Sequence, residues 1–298
     1  MSWTDGTGMA THLVSVLNGL AMGSLLFAIA LGLSLVFGMM DVLNLAHGAV
    51  YLVGAYVAVA LVTDGAGVAA FVLAVLAAAV AGALLGGLLA ALTRATTHHL
   101  DQALLTLGVG LVVAEVLTLA FGTDVHSISA PAPVGGGVTV LGETYPVYRL
   151  LVIGFGVVLA VAVYVLVERS PLGSVIRATV ADRAMVAALG VNTGRVLVGV
   201  FAAGAALAAV GGVLAGPILG AQPGLDEKVL LLALVVVVIG GLGSVRGALL
   251  GAVVIGQVQA LGTALLPEYA SFLVFAAMAL VLLVRPAGLL PARTGVHA

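Results

Sequence analysis

Residues 147–220 read VYRLLVIGFGVVLAVAVYVLVERSPLGSVIRATVADRAMVAALGVNTGRVLVGVFAAGAALAAVGGVLAGPILG, two apolar runs around a charged island from Glu168 to Arg195. Each run is long enough to cross a hydrocarbon core about 30 Å thick, which takes roughly 20 residues. The island carries Arg169, Arg177, Arg183 and Arg195, four of the ten basic residues of the chain. Charges at that density must sit in water. The stretch therefore describes two membrane-crossing helices joined at one face by a loop that a soluble partner can reach.

The rest of the chain repeats the pattern. Of its 298 residues 63% are hydrophobic and 7% charged, with a mean hydropathy of +1.32, whereas a soluble domain is about one quarter charged. The apolar runs fall near 13–37, 43–62, 66–92, 103–122, 147–167, 196–220, 228–244, 247–266 and 270–284. They are continuously apolar, without the alternation that lipid-facing strands need, so helices are expected and a barrel is not. The fold class expected is all-α, one polytopic transmembrane helix bundle over residues 1–298, with about eight to ten spans and discontinuous helices. The start, MSWTDGTGMATH, has no Lys or Arg ahead of the first run, so the first helix reads as a retained anchor. The chain has no cysteine, which excludes disulfides and thiolate chemistry. A net charge of −2 gives no reason to expect nucleic acid as a partner.

Basic residues set the expected orientation. With nine crossings and the N-terminus outside, the inner loops collect Arg94, Arg169, Arg177, Arg183, Arg195, Arg246, Arg285 and Arg293, against Arg149 and Lys228 outside. The positive-inside rule then makes the island cytoplasmic. The same threading puts 123–146, TDVHSISAPAPVGGGVTVLGETYP, outside; its Pro, Gly and β-branched content reads as an ordered loop or short hairpin. It is either a docking surface for an external partner or a connector. Among the 41 glycines, Gly82/Gly86, Gly108 with Gly110, and Gly247/Gly251 are expected to be helix-contact patches.

Two segments read as broken helices: GMMDVLNLAHG (38–48) and GGLGSVRG (240–247). Gly-interrupted segments in both halves of a chain point toward a transport path. Asp41, Asn44 and His47, at i, i+3 and i+6, spread over roughly one helix face, where they line an aqueous pocket or relay a proton; the alternative is a hydrated turn in which Asp41 or Asn44 caps the next helix. Glu115 lies inside the apolar run LGVGLVVAEVLTLAFG and should face protein or water, as a pathway residue or as a paired structural carboxylate. Of Gln257 and Gln259 at most one lines a path, and interhelical hydrogen bonding accounts for either. His98 and His99 read as a solvated pair. No GxxxxGK[ST], HExxH or GxSxG pattern occurs, so no catalytic site, cofactor or metal is expected.

Transport against a gradient then requires an ion gradient or an attached ATPase, and the island favours the second. Pro171 and Gly173 end the preceding helix. Residues 182–189, DRAMVAAL, read as a short helix closed by Gly190, with Asn192 and Thr193 turning into the next span. Arg177, Arg183 and Arg195 surround it. Such a helix can seat in a cleft of a soluble motor and move as a rigid lever.

Four stretches in order carry a family resemblance: LNGLAMGSLLFAIALGLSLVFGMMDVLNLAHGAVYLVGAYVA (17–58), LLTLGVGLVV (104–113), SPLGSVIRATVADRAMVAALGVNTGRVLVGVFAAGAALAAVGGVLAGP (170–217) and VVVVIGGLGSVRGALLGAVVIGQVQ (235–259). The chain resembles the short-form permease subunit of ATP-binding-cassette importers for branched-chain amino acids. The resemblance implies that the segment 182–192 contacts the ATPase, with Arg177, Asp182, Arg183, Gly190, Asn192 and Arg195 as coupling residues. The family usually has an acidic residue where this chain has Ala184, so a salt bridge to the ATPase is not expected there. Also implied are ATPase subunits that bind the ATP, a second permease subunit, an extracytoplasmic solute-binding protein, and a place in a prokaryotic plasma membrane. The substrate path expected is a polar cavity near Asp41, Asn44, His47 and Glu115 with Gly240, Gly241, Gly243 and Ser244, where helix N-termini receive the cargo's carboxylate. Rival readings keep the architecture and change the cargo to urea, amides or a sugar, or make the chain a proton-coupled carrier using Asp41, His47 and Glu115; a membrane-embedded enzyme is the weakest.

Overall fold

The computed structural model describes residues 6–40, 44–63, 65, 67–96, 98–140 and 142–291. Eleven α-helices are found among them: α1 Gly6–Met40, α2 His47–Leu61, α3 Val68–Thr93, α4 His99–Phe121, α5 Val147–Tyr164, α6 Pro171–Ala181, α7 Arg183–Ala188, α8 Thr193–Leu219, α9 Leu225–Gly240, α10 Val245–Leu265 and α11 Ala270–Val284. Each of the nine apolar runs is one helix. Seven helical segments are long and apolar enough to cross a membrane, and α2 and α9, with 15 and 16 residues, are shorter. At 1.5 Å per residue α1 measures about 52 Å and α2 about 22 Å, so α1 exceeds the hydrocarbon core and α2 does not cover it.

Burial orders the bundle from inside out. In α1 and α8 72% and 61% of the apolar window is buried, against 11% in α4 and 6% in the last helix. Helix α8 packs on α1, α2 and α3, and α1 also lies against α10, α5 and α9. Without a hydrophobic drive between helices in lipid, close backbone approach sets these contacts. A Cβ on Gly54 would overlap the Ala209 carbonyl, and one on Gly212 the Tyr51 carbonyl, which locks α2 across α8. Gly82 and Gly86 lie on Ala205 and Phe201 of α8, and Gly247 and Gly251 on Gly240 and Val236 of α9, as their spacing suggests. Gly110 meets Ala46, but nothing stands within 4 Å of Gly108, so that half of the pair is not a contact.

Neighbouring helix ends fix which termini lie together. At one end Arg94, after α3, donates to the Gly194 carbonyl at the start of α8, and Arg246 at the start of α10 pairs with Glu168 at 3.2 Å. At the other end Tyr148 of α5 donates to the Leu214 carbonyl of α8, and Tyr56 of α2 stacks on Phe121 of α4. The second end carries the expected hairpin: β1 Gly137–Val140 pairs antiparallel with β2 Glu143–Pro146. Ahead of it, His126 bridges Ala221 and Ile128 is buried against Gly216.

The island differs from its reading in one respect. Pro171 does not merely stop a helix; it occupies the first turn of α6, whose N-cap Ser170 accepts from the Gly173 N–H. Proline favours that position because its missing N–H is not needed there. The island therefore holds two helices.

Candidate functional site

Three groups of residues bear on function, and they lie at different levels of the bundle. The first is the island. Helix α5 continues as a π turn, Val165–Arg169. Asp182 caps α7 by accepting from the Met185 N–H at 2.9 Å, and Asn192 caps α8 by accepting from the Arg195 N–H at 3.0 Å. Gly190 has φ 86°, and Val191 N–H donates back to the Val186 carbonyl, which closes α7. The N-caps of α6, α7 and α8 are thus all made within the segment, by Ser170, Asp182 and Asn192. Val186 is buried and anchors α7, while Met185, Leu189 and, on α6, Leu172 are 57%, 74% and 67% exposed. Arg183 and Arg195 are exposed beside them. Arg177 is exposed as well, and it donates to the Val167 carbonyl of the π turn, which ties α6 to the end of that helix.

The second group is Asn44 and His47. They are not on one helix with the end of α1: Asn44 stands in the turn that precedes α2, and His47 is the first residue of α2. Asp41 lies outside the described residues. Both are buried, with 2% and 0% of their surface exposed, so this is not a hydrated turn. Asn44 Oδ1 accepts from the Ala46 N–H, Leu45 N–H donates to Thr106 Oγ1 of α4, and His47 Nε2 lies 3.0 Å from the Ile29 carbonyl of α1. Ile29 is eleven residues from the end of α1, about 16 Å along its axis. The interruption thus sits deep in the bundle, covered by protein, the condition under which irregular backbone is tolerated there. His47 Nδ1 and the hydroxyls of Ser34 and Tyr51 are buried without a hydrogen-bond partner among the described residues. Buried polar atoms of that kind are uncommon.

Gly240–Ser244 does not join them. It is the turn between α9 and α10 at the arginine-rich end: Gly241 and Gly243 have φ 103° and 74°, and Ser244 caps α10 by accepting from the Gly247 N–H. The segment after α11 closes over it, Leu289 and Leu290 donating to the Ile239 and Gly240 carbonyls. Gly243 abuts Gly38, nine residues along α1 from the level of His47. The expected second break at membrane depth is therefore a helix connection, and among the described residues the two segments lie at different levels of α1. Glu115 is elsewhere again, on the exposed face of α4 beside Leu111, Val112 and Leu119, with no ion pair among the described residues.

The third group was not predicted as a site. A cavity of about 430 Å³ opens among the N-terminal half of α1, the first turn of α5 and the C-terminal ends of α8 and α10. Its lining includes Ser15, Asn18, Arg149, Gln259 and Thr263 with Met22, Leu25, Ile218 and Leu219. Arg149 donates to Asn18 Oδ1. Burial pushes the phenol of Tyr145 up, and the neighbouring Arg149 guanidinium pulls it back. Gln257 bonds the Val16 carbonyl of α1 at 2.9 Å while Gln259 lines the cavity. One glutamine is interhelical glue and the other is not.

The comparisons with known proteins agree over nearly the whole chain. The family model described as branched-chain amino acid transport system / permease component matches residues 15–282. LivH, a high-affinity branched-chain amino acid transport system permease protein of Escherichia coli, is 31% identical over 93% of this chain and 95% of its own. The LivH protein of Salmonella typhimurium is 30% identical over the same shares, and the BraD permease protein of Pseudomonas aeruginosa 29% over 94% and 95%. No solved structure matches. With its bundle of apolar helices and a family match spanning most of its length, the chain is a multi-pass membrane protein and belongs to the branched-chain amino acid transport system permease family.

Proposed function

We propose that this chain is a permease subunit of an ATP-driven importer, carrying branched-chain or other small apolar amino acids across the plasma membrane of a prokaryote. Its partners are separate subunits: an ABC ATPase pair that binds and hydrolyses the ATP, a second permease that completes the pathway, and an extracytoplasmic binding protein that delivers cargo. The chain itself has no nucleotide site and holds no cofactor. The N-terminus faces outside and the C-terminus the cytoplasm, because Arg94, Arg169, Arg177, Arg183, Arg195, Arg246 and Arg285 gather at one end of the bundle.

The observation that carries this reading is the α6–α7 unit, which leaves Leu172, Met185 and Leu189 bare at that end. Large apolar side chains exposed outside the hydrocarbon core and bordered by Arg183 and Arg195 form an interface composition. Docked in a cleft of the ATPase, the unit transmits motion to α5 through Arg177 and to α8 through the Asn192 cap. ATP binding and hydrolysis then bias a bundle between outward-open and inward-open arrangements. The hairpin and the 123–146 loop form the face where a binding protein would dock. The buried interruption at Asn44 and His47 supplies polar groups at membrane depth for passage.

The test is to co-purify the chain with its ATPase and to measure ATP turnover in liposomes. Leucine-loaded binding protein should accelerate turnover and drive leucine uptake. Acceleration by urea-loaded binding protein and by no amino acid would overturn the cargo, and failure to retain any ATPase would overturn the importer.

A further inference from the structure

We propose that the cavity between α1, α5, α8 and α10 is a receiving site for the free α-amino acid, with Arg149 taking the carboxylate and Gln259 Oε1 the ammonium. This rests on the importer reading above and names the place and the groups in this chain that meet the cargo first. Four observations converge. The cavity, about 430 Å³, is within the range of small-molecule sites. It lies at the end of the bundle that carries the hairpin, where cargo would arrive. Among the described residues its one charged lining residue is Arg149, with no carboxylate in the wall. And Gln259 Oε1 is buried with no hydrogen-bond partner among the described residues, an acceptor left for a donor that the fold does not supply.

The chemistry matches the parts of the ligand. A guanidinium has five N–H donors in a planar fork suited to a carboxylate; the bond to Asn18 Oδ1 uses one side of it and orients the rest. An ammonium has donors only, and an amide oxygen is the complement. Met22, Leu25, Ile218 and Leu219 supply apolar wall for an aliphatic side chain. Urea or an amide would leave Arg149 without an anion, and a sugar would leave the apolar wall uncovered. A zwitterion with a branched aliphatic side chain satisfies all three elements.

The experiment uses the whole transporter, both permeases with the ATPases in liposomes, supplied with leucine-loaded binding protein, and reads leucine moved per ATP hydrolysed. Arg149→Gln should lower that ratio about ten-fold, the worth of a charge-assisted hydrogen bond, and Arg149→Lys should recover part of it, since a point charge replaces the fork. Gln259→Leu should lower the ratio several-fold; because Oε1 holds no bond among the described residues, this variant decides the matter if Arg149→Gln fails to assemble. Wild-type ratios in the assembled variants would overturn the site while leaving the importer reading intact. A wild-type complex that moves no leucine would overturn both. Vesicles of phosphatidylcholine alone and with phosphatidylglycerol separate the cargo's carboxylate from a lipid phosphate: the same deficit in both fits the proposal, and a deficit only with the anionic lipid contradicts it.

Discussion

At the end of the bundle where α3, α5 and α9 finish, charge faces outward: Arg183, Arg195 and Arg246 are exposed, and α6 and α7, packed on the ends of the spans, carry bare apolar side chains. At the opposite end Glu143, Glu227 and Lys228 are exposed too, but the arginine is drawn inward. Arg149 is half-buried against Asn18, Tyr145 of β2 is buried, and the loop ahead of the hairpin folds down onto the end of α8 through Ile128 and the His126–Ala221 bridge. One end bares a broad surface of mixed apolar and basic side chains, and the other lines a cavity. The difference teaches that the two ends are told apart by what surrounds their arginines, bare apolar side chains at one and a half-buried cavity wall at the other.

The largest effect is expected from the core that holds the two ends in register. Gly54→Val places a branched side chain on the Ala209 carbonyl, and overpacking against backbone cannot relax by a side-chain shift. Assembled protein recovered in detergent should fall about ten-fold or more, whereas Gly108→Ala, with open space around it, should leave recovery unchanged. Equal losses in the two variants would break the account of α2 locked on α8.

Next comes the exposed end. Met185→Glu combined with Leu189→Ser alters only bare surface, so thermal unfolding of the chain should shift little, while retention of the ATPase should drop about ten-fold, the scale for removing anchor residues from an interface. If unfolding shifts and retention does not, the α6–α7 unit is structural. Asp182→Ala removes the cap of α7 at a cost of about 1 kcal/mol and should weaken ATPase retention several-fold through loosening of that short helix. The smallest effect is expected at the Arg246–Glu168 pair. With 57% and 27% of the two side chains exposed, solvent screening holds it to about 0–1 kcal/mol, and Glu168→Gln should leave unfolding nearly unmoved.

The nine helices were legible because lipid imposes one demand, an unbroken apolar run of sufficient length, that composition alone reveals. The end of α7 was legible for a similar reason: Asp182, Gly190 and Asn192 are cap residues acting within a few positions of themselves. Helix α6 was not, since Pro171 is equally a stop for one helix and the first turn of the next, and the choice rests on Ser170 reaching the Gly173 N–H. The two glycine-rich interruptions looked alike in sequence, yet one lies level with Ile29 deep in the bundle and the other is a terminal turn; depth is set by neighbours far along the chain. Glu115 was expected to face protein or water, with a partner, and lies on the exposed side of α4 with no ion pair among the described residues. The cavity was beyond reach because Asn18, Arg149 and Gln259 come from three distant segments, and each alone reads as an ordinary interfacial polar residue.

The absence of cysteine permits the most direct measurement, labelling of single-cysteine variants in intact cells with a membrane-impermeant maleimide. Glu143→Cys on the hairpin should label from outside; Met185→Cys on α7 should label only after permeabilisation and be protected by bound ATPase. Outside labelling of Met185→Cys, or full reactivity with the ATPase in place, would contradict the assignment of that end as the coupling face.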